Sequence, residues 1–209
     1  STWTEAAAAE AAAQCGLTAE YERYANDFTD VDGAQHRQEI ATLAAYDLVS
    51  GYGDGTFRPE NTVTRAEFAA MLAAALNLSG SGTSAFTDVP ADAWYASSVS
   101  AMAAKGFLAG YEDGTFRPDN TITYQEMVTV LSSVAVWCLL NGSELRDTEL
   151  SANDWAIYYD WADWAQIPAR NLVSLGVSLD ADAYGDRGTR DDAAGLLCQL
   201  MEGIHLLWD

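Results

Sequence analysis

The sequence predicts an all-α protein built from three tandem helix-loop-helix repeats. The letters "GYGDGTFRP" begin at Gly51, and the nearly identical letters "GYEDGTFRP" begin 59 residues later at Gly110. Apolar residues on both sides of each loop recur every three or four positions, which is the spacing of a helix that buries one face. A repeated loop between two such helices defines one repeat, and tandem self-similarity of this kind indicates an array of packed units.

The first helix of each repeat is predicted from a single apolar stripe. The stripe contains Ile40, Leu43, Ala44 and Leu48 in the first copy, and Val99, Met102, Ala103 and Phe107 in the second. Gly51 and Gly110 follow these stripes. We expect them to end the helices in the left-handed conformation, which glycine adopts most readily.

The second helix of the first two repeats is predicted to begin with a capping box, Thr64 with Glu67 and Thr123 with Glu126. Thr64 and Glu67 have the spacing at which a threonine hydroxyl and a glutamate carboxylate satisfy each other's backbone N–H groups. Capping does not explain Arg65, because the helix dipole disfavours a cation at the first helical position. The second copy has Tyr124 there, so we expect the fold not to need Arg65 and consider it a binding candidate. The alternative is a weak surface ion pair.

The remaining segments complete the predicted organisation. The letters "GTRDDAAGLLCQL" keep the apolar pattern of the second copy at an offset of 66 residues, which indicates a third, degenerate repeat. The spacing from Trp3 to Leu17 matches that from Trp94 to Leu108, which indicates an extra N-terminal helix. The predicted boundaries are 1–25 for this extension and 26–79, 80–142 and 143–209 for the repeats.

Composition excludes several classes of partner and site. The formal net charge is −21, and Lys105 is the single lysine, so the chain lacks the basic face that nucleic acids and anionic membranes require. No apolar run is long enough to insert into a bilayer. Cys15, Cys138 and Cys198 are too far apart for a metal knuckle, and their apolar surroundings predict buried small side chains.

The ordered set of "FTDV", a tryptophan, "GY.DGTFRP" and "TRAE" resembles the S-layer homology (SLH) repeat. The resemblance is strong from about residue 26 to 138 and weak beyond. It implies three repeats around a pseudo-threefold axis, with grooves between neighbours. It also implies a non-enzymatic module, without cofactors, on the outer surface of a bacterium. Such modules anchor surface proteins to an anionic secondary cell-wall polysaccharide that often carries a pyruvyl ketal.

The same resemblance implies a set of glycan-binding residues. These are Arg65, Arg190, Trp94, Trp155, Gly51 and Gly110. An arginine binds a carboxylate through two parallel hydrogen bonds, and a tryptophan face covers the C–H side of a sugar. Tyr124 and Gln35 replace the arginine and the tryptophan in single copies, so we expect one or two competent grooves. The alternative for the tryptophans is core packing, which we expect for Trp161 and Trp164.

Two other functions are considered. A glycosidase needs a pair of carboxylates, but no pair stands out, and the two histidines have no nearby nucleophile, so an enzyme is not predicted. The letters "DADAYGDRGTRD" partly match a calcium-binding EF-hand loop, with Asp180, Asp182, Asp186 and Asp191 as weak candidate ligands. The alternative function is therefore a degenerate SLH module that contacts another surface protein or binds calcium.

Overall fold

The structure is a computed structural model that describes residues 28–82, 84–141 and 161–204. Within these residues the chain forms helices and isolated bridge pairs, without a β-strand, which confirms the all-α prediction. The helices are α1 (Arg37–Ala45), α2 (Arg65–Ala75), α3 (Ala96–Ala104), α4 (Tyr124–Leu140), α5 (Asp163–Ser174), a 3₁₀ helix (Ala181–Gly185) and α6 (Arg190–Gly203). The predicted N-terminal helix and the start of the third repeat lie outside the described residues.

Helices pack between repeats in a cyclic order. Helix α2 of the first repeat contacts α3 of the second, α4 of the second contacts α5 of the third, and α6 of the third contacts α1 of the first. The apolar stripes predicted from sequence meet in one shared core, where Phe57, Phe68, Phe116, Met127 and Leu172 are almost fully buried. No repeat therefore buries its apolar faces alone.

Three backbone hydrogen bonds close a ring at the centre of this arrangement. Val63 N–H donates to the carbonyl of Gly188 (3.0 Å), Gly188 N–H to that of Ile122 (2.9 Å), and Ile122 N–H to that of Val63 (3.0 Å). A Cβ at position 188 would lie 2.7 Å from the sulfur of Met127, so a larger residue there would displace this buried side chain. The ring links all three repeats, and the threefold symmetry implied by the resemblance stays a prediction.

The second helices begin as the sequence predicted. In α2, the Thr64 hydroxyl accepts from Glu67 N–H (3.2 Å) and Glu67 Oε2 accepts from Thr64 N–H (2.7 Å). The same reciprocal pairs begin α4 at Thr123 and α6 at Thr189. The two predicted capping boxes are confirmed, and the third, in which Asp192 takes the place of glutamate, was not predicted.

The backbone N–H of the first residue in each second helix donates a hydrogen bond to the neighbouring repeat. Arg65 N–H donates to the carbonyl of Asn120, Tyr124 N–H to that of Asp186, and Arg190 N–H to that of Asn61. These are donors that an isolated helix leaves without an intrahelical partner. The loop of the next repeat therefore completes each cap, and this places the first helical side chain against that loop.

The prediction that Gly51 and Gly110 adopt the left-handed conformation is wrong. The left-handed residues that directly follow the first helices are instead Asp47, Gly106 and Gly176. Gly51 is glycine for a different reason, because a Cβ there would overlap the ring of Phe28 and lie 2.7 Å from the carbonyl oxygen of Thr56. Gly110 has the same relation to Phe86.

Two further sequence predictions have different outcomes. Trp161 is buried, as expected, and its Nε1 donates to the carbonyl of Ala181 (3.0 Å). Trp164 is wrongly predicted as core, because α5 directs it to solvent with 55% of its surface exposed. Cys138 and Cys198 are buried as predicted, whereas Cys15 lies outside the described residues. Among the helices described, none combines the length and apolar character needed to cross a membrane.

A histidine lies in the contact between α1 and α6. The His36 ring packs against Gly195, and its Nδ1 lies 3.6 Å from Glu39 Oε1. The backbone N–H of His36 donates to Asp191 Oδ1 (3.1 Å). Burial alone favours the neutral ring, but the hydrogen bond to Glu39 and the charges of Asp191, Glu39 and Asp192 outweigh it and raise the pKa of His36. Burial also raises the pKa of Asp191.

The cap of α2 gives the first prediction. Thr64→Ala should lower the free energy of unfolding by about 0.5–2 kcal/mol, because the backbone N–H of Glu67 loses its acceptor. Urea unfolding followed by circular dichroism measures this. Thr62→Ala, an exposed threonine two residues earlier, is the matched control and should have little effect. Equal losses in both variants would contradict a specific capping role for Thr64.

The second prediction concerns pH. The folded state holds the His36 proton more tightly than the unfolded chain, so its contribution is complete below the unfolded pKa of about 6.5 and is lost as pH rises through the higher folded pKa. The raised pKa of Asp191 acts in the same direction. The His36 contribution makes the free energy of unfolding larger at pH 5.5 than at pH 8.5, and His36→Gln should therefore reduce this difference. His205→Gln is the comparison variant. An NMR titration that gives His36 a pKa below 6.5 would refute this.

Candidate functional site

Two arginines connect neighbouring repeats in the same way. Arg65, at the start of α2, donates from Nε to the carbonyl of Phe116 (2.9 Å) and from Nη2 to that of Ala109 (2.7 Å). Arg190, at the start of α6, donates to the two equivalent carbonyls of the first repeat, Phe57 (2.8 Å) and Ser50 (2.9 Å). In both interfaces the guanidinium lies over a phenylalanine ring of the neighbouring loop.

Arg65 is enclosed by protein. Only 7% of its side chain is exposed, and Nη1 lies 3.7 Å from Glu126 Oε1. All three guanidinium nitrogens therefore have a protein partner. The alternative of a surface ion pair is wrong, because the Arg65 charge is buried and satisfies two carbonyl groups of the next repeat. This burial gives a physical reason to expect that the fold does depend on Arg65. Whether Arg65 also contacts a glycan stays a prediction.

Arg190 has a different environment. Burial lowers the pKa of its guanidinium, although the negative charges of Glu67 and Asp30 oppose that shift. It remains a cation at neutral pH. Among residues 28–82, 84–141 and 161–204, no hydrogen-bond partner is present for its Nη1. Arg190 thus keeps one donor group available beside the first repeat.

Arg190 lines a cavity of about 250 Å³. Leu48, Val49, Ala70 and Met71 give this cavity an apolar wall, and Ser50 and Glu67 lie on its polar side. Trp94 also lines the cavity while 69% of its surface is exposed to solvent. The cavity therefore combines a cation, an acceptor, an apolar wall and an aromatic face, which is a composition suited to a small polar ligand.

All three repeats contribute to this cavity. Arg190 comes from the third repeat, and the loop and α2 come from the first. Trp94 precedes α3 of the second repeat, which packs against α2, and its ring meets Tyr95 edge to face at 5.3 Å. The structure thus brings Arg190 and Trp94 together as candidate site residues, whereas Arg65 belongs to another interface and Trp155 lies outside the described residues.

Two aspartates that the sequence analysis missed hold the loops. Asp30 accepts hydrogen bonds from the N–H groups of Phe57 and Arg58, both at 2.8 Å. Asp88 makes the equivalent pair of bonds in the second repeat, both at 2.7 Å. Because Phe57 offers its carbonyl to Arg190, Asp30 positions the arginine indirectly. Both aspartates belong to the repeated letters "FTDV", which mark the repeat and could also have predicted a shared structural role for them.

Gly51 and Gly110 allow phenylalanine rings to pack against the loops. Each provides the space in which a phenylalanine ring from the start of its repeat packs, Phe28 against Gly51 and Phe86 against Gly110. Gly51 is not among the residues that line the cavity. A direct contact between these glycines and a sugar stays a prediction, and their structural role is the packing of the loop.

The interface between the second and third repeats is closed by aromatic side chains. Tyr124 occupies the position of the two arginines and is buried. Its hydroxyl accepts from Asp180 N–H (3.0 Å), and its ring meets Trp161 edge to face at 6.0 Å. The three interfaces therefore differ, with a buried arginine, a partly exposed arginine and a tyrosine in the same position.

The candidate calcium loop is not assembled. Asp180 accepts from Asp182 N–H (2.9 Å) at the start of the 3₁₀ helix. Asp191 belongs to α6, where it is buried against His36 of the first repeat. Across the described part of the chain, no group of three or more acidic, histidine or cysteine side chains is placed to hold a metal ion. The helix that begins at Arg190 removes Asp191 from the set with Asp180, Asp182 and Asp186.

The two arginines should differ in their effect on stability. Arg65→Ala should lower the free energy of unfolding by about 2–3 kcal/mol, because buried carbonyl groups lose a charged donor. Arg190→Ala should cost less, since water in the cavity can replace the lost donor. Urea unfolding of both variants tests this. A change below about 0.5 kcal/mol for Arg65→Ala, as at ordinary surface positions, would contradict it.

Comparison with known proteins identifies the family. A sequence profile of the S-layer homology domain matches residues 27–69 and 85–128. The chain is 36% identical to a cellulosome-anchoring protein of Acetivibrio thermocellus over 59% of the chain and 29% of that protein. It is 35% identical to a surface layer protein of Brevibacillus choshinensis over 47% of the chain and 9% of that protein.

Another relative is named as an enzyme. The chain is 29% identical to an amylopullulanase of Thermoanaerobacterium thermosulfurigenes, over 86% of the chain and 10% of that protein. The chain thus spans less than a third of the length of each of these relatives. The S-layer homology repeats and the cellulosome-anchoring relative point to cell-wall anchoring. Residues 27–69 and 85–128 are therefore two S-layer homology repeats, and together with the surface-protein relatives they indicate the cell surface or cell wall as the location.

Proposed function

We propose that this chain anchors a surface protein by binding an anionic secondary cell-wall polysaccharide in the cavity between Arg190 and Trp94. The observation that supports this most directly is that Arg190 Nη1 has no hydrogen-bond partner among the described residues, in a cavity that Trp94 also lines. A guanidinium edge binds a carboxylate strongly, and an indole face covers the apolar side of a sugar ring. The proposal includes no catalysis and no cofactor.

The polar and apolar walls of the cavity suit different parts of a sugar. Glu67 uses Oε2 to accept from Thr64 N–H, and its other oxygen is the natural acceptor for a sugar hydroxyl. Leu48, Val49, Ala70 and Met71 form an apolar wall against which a methyl-bearing substituent fits. An acidic sugar with both hydroxyl and methyl groups is therefore the preferred ligand class.

The two arginine interfaces are not equivalent for this purpose. Glu126 lies 3.7 Å from Arg65 and neutralises its charge, and the Arg65 side chain is buried. A ligand carboxylate would therefore have to displace a protein partner of Arg65. Arg190 has no ion pair within 4.0 Å among the described residues, and its cavity is open. We therefore assign the acidic group of the polymer to Arg190.

Pelleting with cell-wall sacculi tests the function. The protein should sediment with intact sacculi and stay in solution after the wall polysaccharide has been removed. Arg190→Ala should weaken retention by about 10- to 100-fold, which is the loss expected for a hydrogen bond to a charged group. Arg190→Lys keeps the charge without the planar fork and should recover only part of the binding.

Arg187→Ala is the matched control, because Arg187 is an exposed arginine three residues away. It should bind as the parent chain does. Circular dichroism should show that all variants are folded. Equal pelleting with intact and stripped sacculi, or full retention of Arg190→Ala, would exclude the proposed site.

A further inference from the structure

The first two residues of α6 contact both ends of α1. Arg190 donates from Nη2 to the carbonyl of Ser50, five residues after the end of α1 (2.9 Å). The carboxylate of Asp191 accepts from the backbone N–H of His36, which directly precedes α1 (3.1 Å). Because Arg190 and Asp191 are neighbours in one helix, a movement at the His36 contact also moves the arginine.

The Arg190 cavity is built on the same two helices. It is lined by Leu48, Val49 and Ser50, which follow α1, and by Arg190, which begins α6. The two helices pack against each other. The separation of these cavity walls therefore depends on how firmly α1 and α6 are held together.

His36 is a titratable group within this helix contact. Its side chain is only 12% exposed, and its ring packs against Gly195, one helical turn after Asp191 on α6. Three carboxylates, here called the acidic set, act on the ring: Glu39 on α1, and Asp191 and Asp192 on α6. His36 Nδ1 lies 3.6 Å from Glu39 Oε1. The ring thus lies where both helices present negative charge.

The charge of His36 decides the balance of this contact. In the part of the chain that the structure describes, no other cation lies within 4.0 Å of the acidic set. Arg37, the next residue, pairs with the exposed Asp32 instead (3.4 Å). Glu60, in the first-repeat loop, adds negative charge near the acidic set. A neutral His36 therefore leaves carboxylates on α1 and α6 that repel each other.

We propose that protonation of His36 regulates glycan binding, because the charged ring holds α1 and α6 in the arrangement that forms the Arg190 cavity. This inference rests on the proposed function and adds pH regulation to it. Burial lowers the pKa of His36, and the carboxylates around the ring raise it by more, so it lies above its ordinary value of 6.5. As pH rises through this pKa, the ring loses its charge and the affinity for the glycan should fall.

Surface plasmon resonance on immobilised wall polysaccharide tests the regulation at pH 5.5 and pH 8.5. All measurements use physiological salt, which screens the repulsion between the anionic chain and the anionic polymer. The parent chain should bind about 5- to 10-fold more tightly at pH 5.5, and His36→Gln should lose most of this ratio. His205→Gln is the matched control, because it removes the other histidine, which follows Ile204 at the far end of α6. It should keep the parental ratio.

A second variant and an NMR measurement separate this role from loss of packing. Asp191→Asn keeps an oxygen that accepts from the His36 N–H and removes one charge from the acidic set. It should lower the pKa of His36 and move the fall in affinity to lower pH. Linkage is reciprocal, so soluble wall polysaccharide should raise the pKa of His36 in the parent chain.

The outcomes distinguish the regulation from the function on which it rests. The parental pH ratio in His36→Gln, or a His36 pKa that does not change when the polysaccharide binds, would overturn the regulation and leave the proposed function standing. A parent chain that binds at both pH values with equal affinity would do the same. Absence of binding at either pH, or parental affinity in Arg190→Ala, would overturn the proposed function itself.

Discussion

The central ring of hydrogen bonds among Val63, Ile122 and Gly188 determines the geometry of every interface between repeats. Each of these residues is followed, within two positions, by the first residue of a second helix. The ring therefore sets the start of each helix against the loop of the next repeat, where its first N–H groups find carbonyl acceptors. The side chain at the first helical position therefore lies against that loop.

One position in this arrangement has been used in three ways. A buried, paired arginine holds the first and second repeats together, and an aromatic tyrosine closes the contact between the second and third. The partly exposed arginine between the third and first repeats has one nitrogen, Nη1, without a hydrogen-bond partner in the part of the chain that the structure describes. The difference arises from burial and from distance, because Glu126 lies 3.7 Å from Arg65, whereas no described carboxylate lies within 4.0 Å of Arg190. A guanidinium that is already paired gains little from a second anion.

Local signals were sufficient to predict the helices and their caps. Thr64 and Glu67 are three residues apart, so the capping box depends on no distant part of the chain. The role of Arg65 could not be predicted in this way, since its carbonyl partners are 44 and 51 residues away in sequence. Gly51 was misassigned for the same reason, because the ring of Phe28 that excludes a side chain there is brought in only by folding. The exposure of Trp164 depends on which face of α5 meets α4.

The candidate site was only partly predictable. The family motif identified Arg190 and Trp94 separately, but their meeting in one cavity follows from the cyclic packing of three repeats. The most direct test is a crystal structure of the chain with a fragment of the wall polysaccharide. The account predicts an acidic group of the glycan within about 3 Å of Arg190 Nη1 and a sugar ring on the face of Trp94. A glycan bound elsewhere, with this cavity empty, would contradict it.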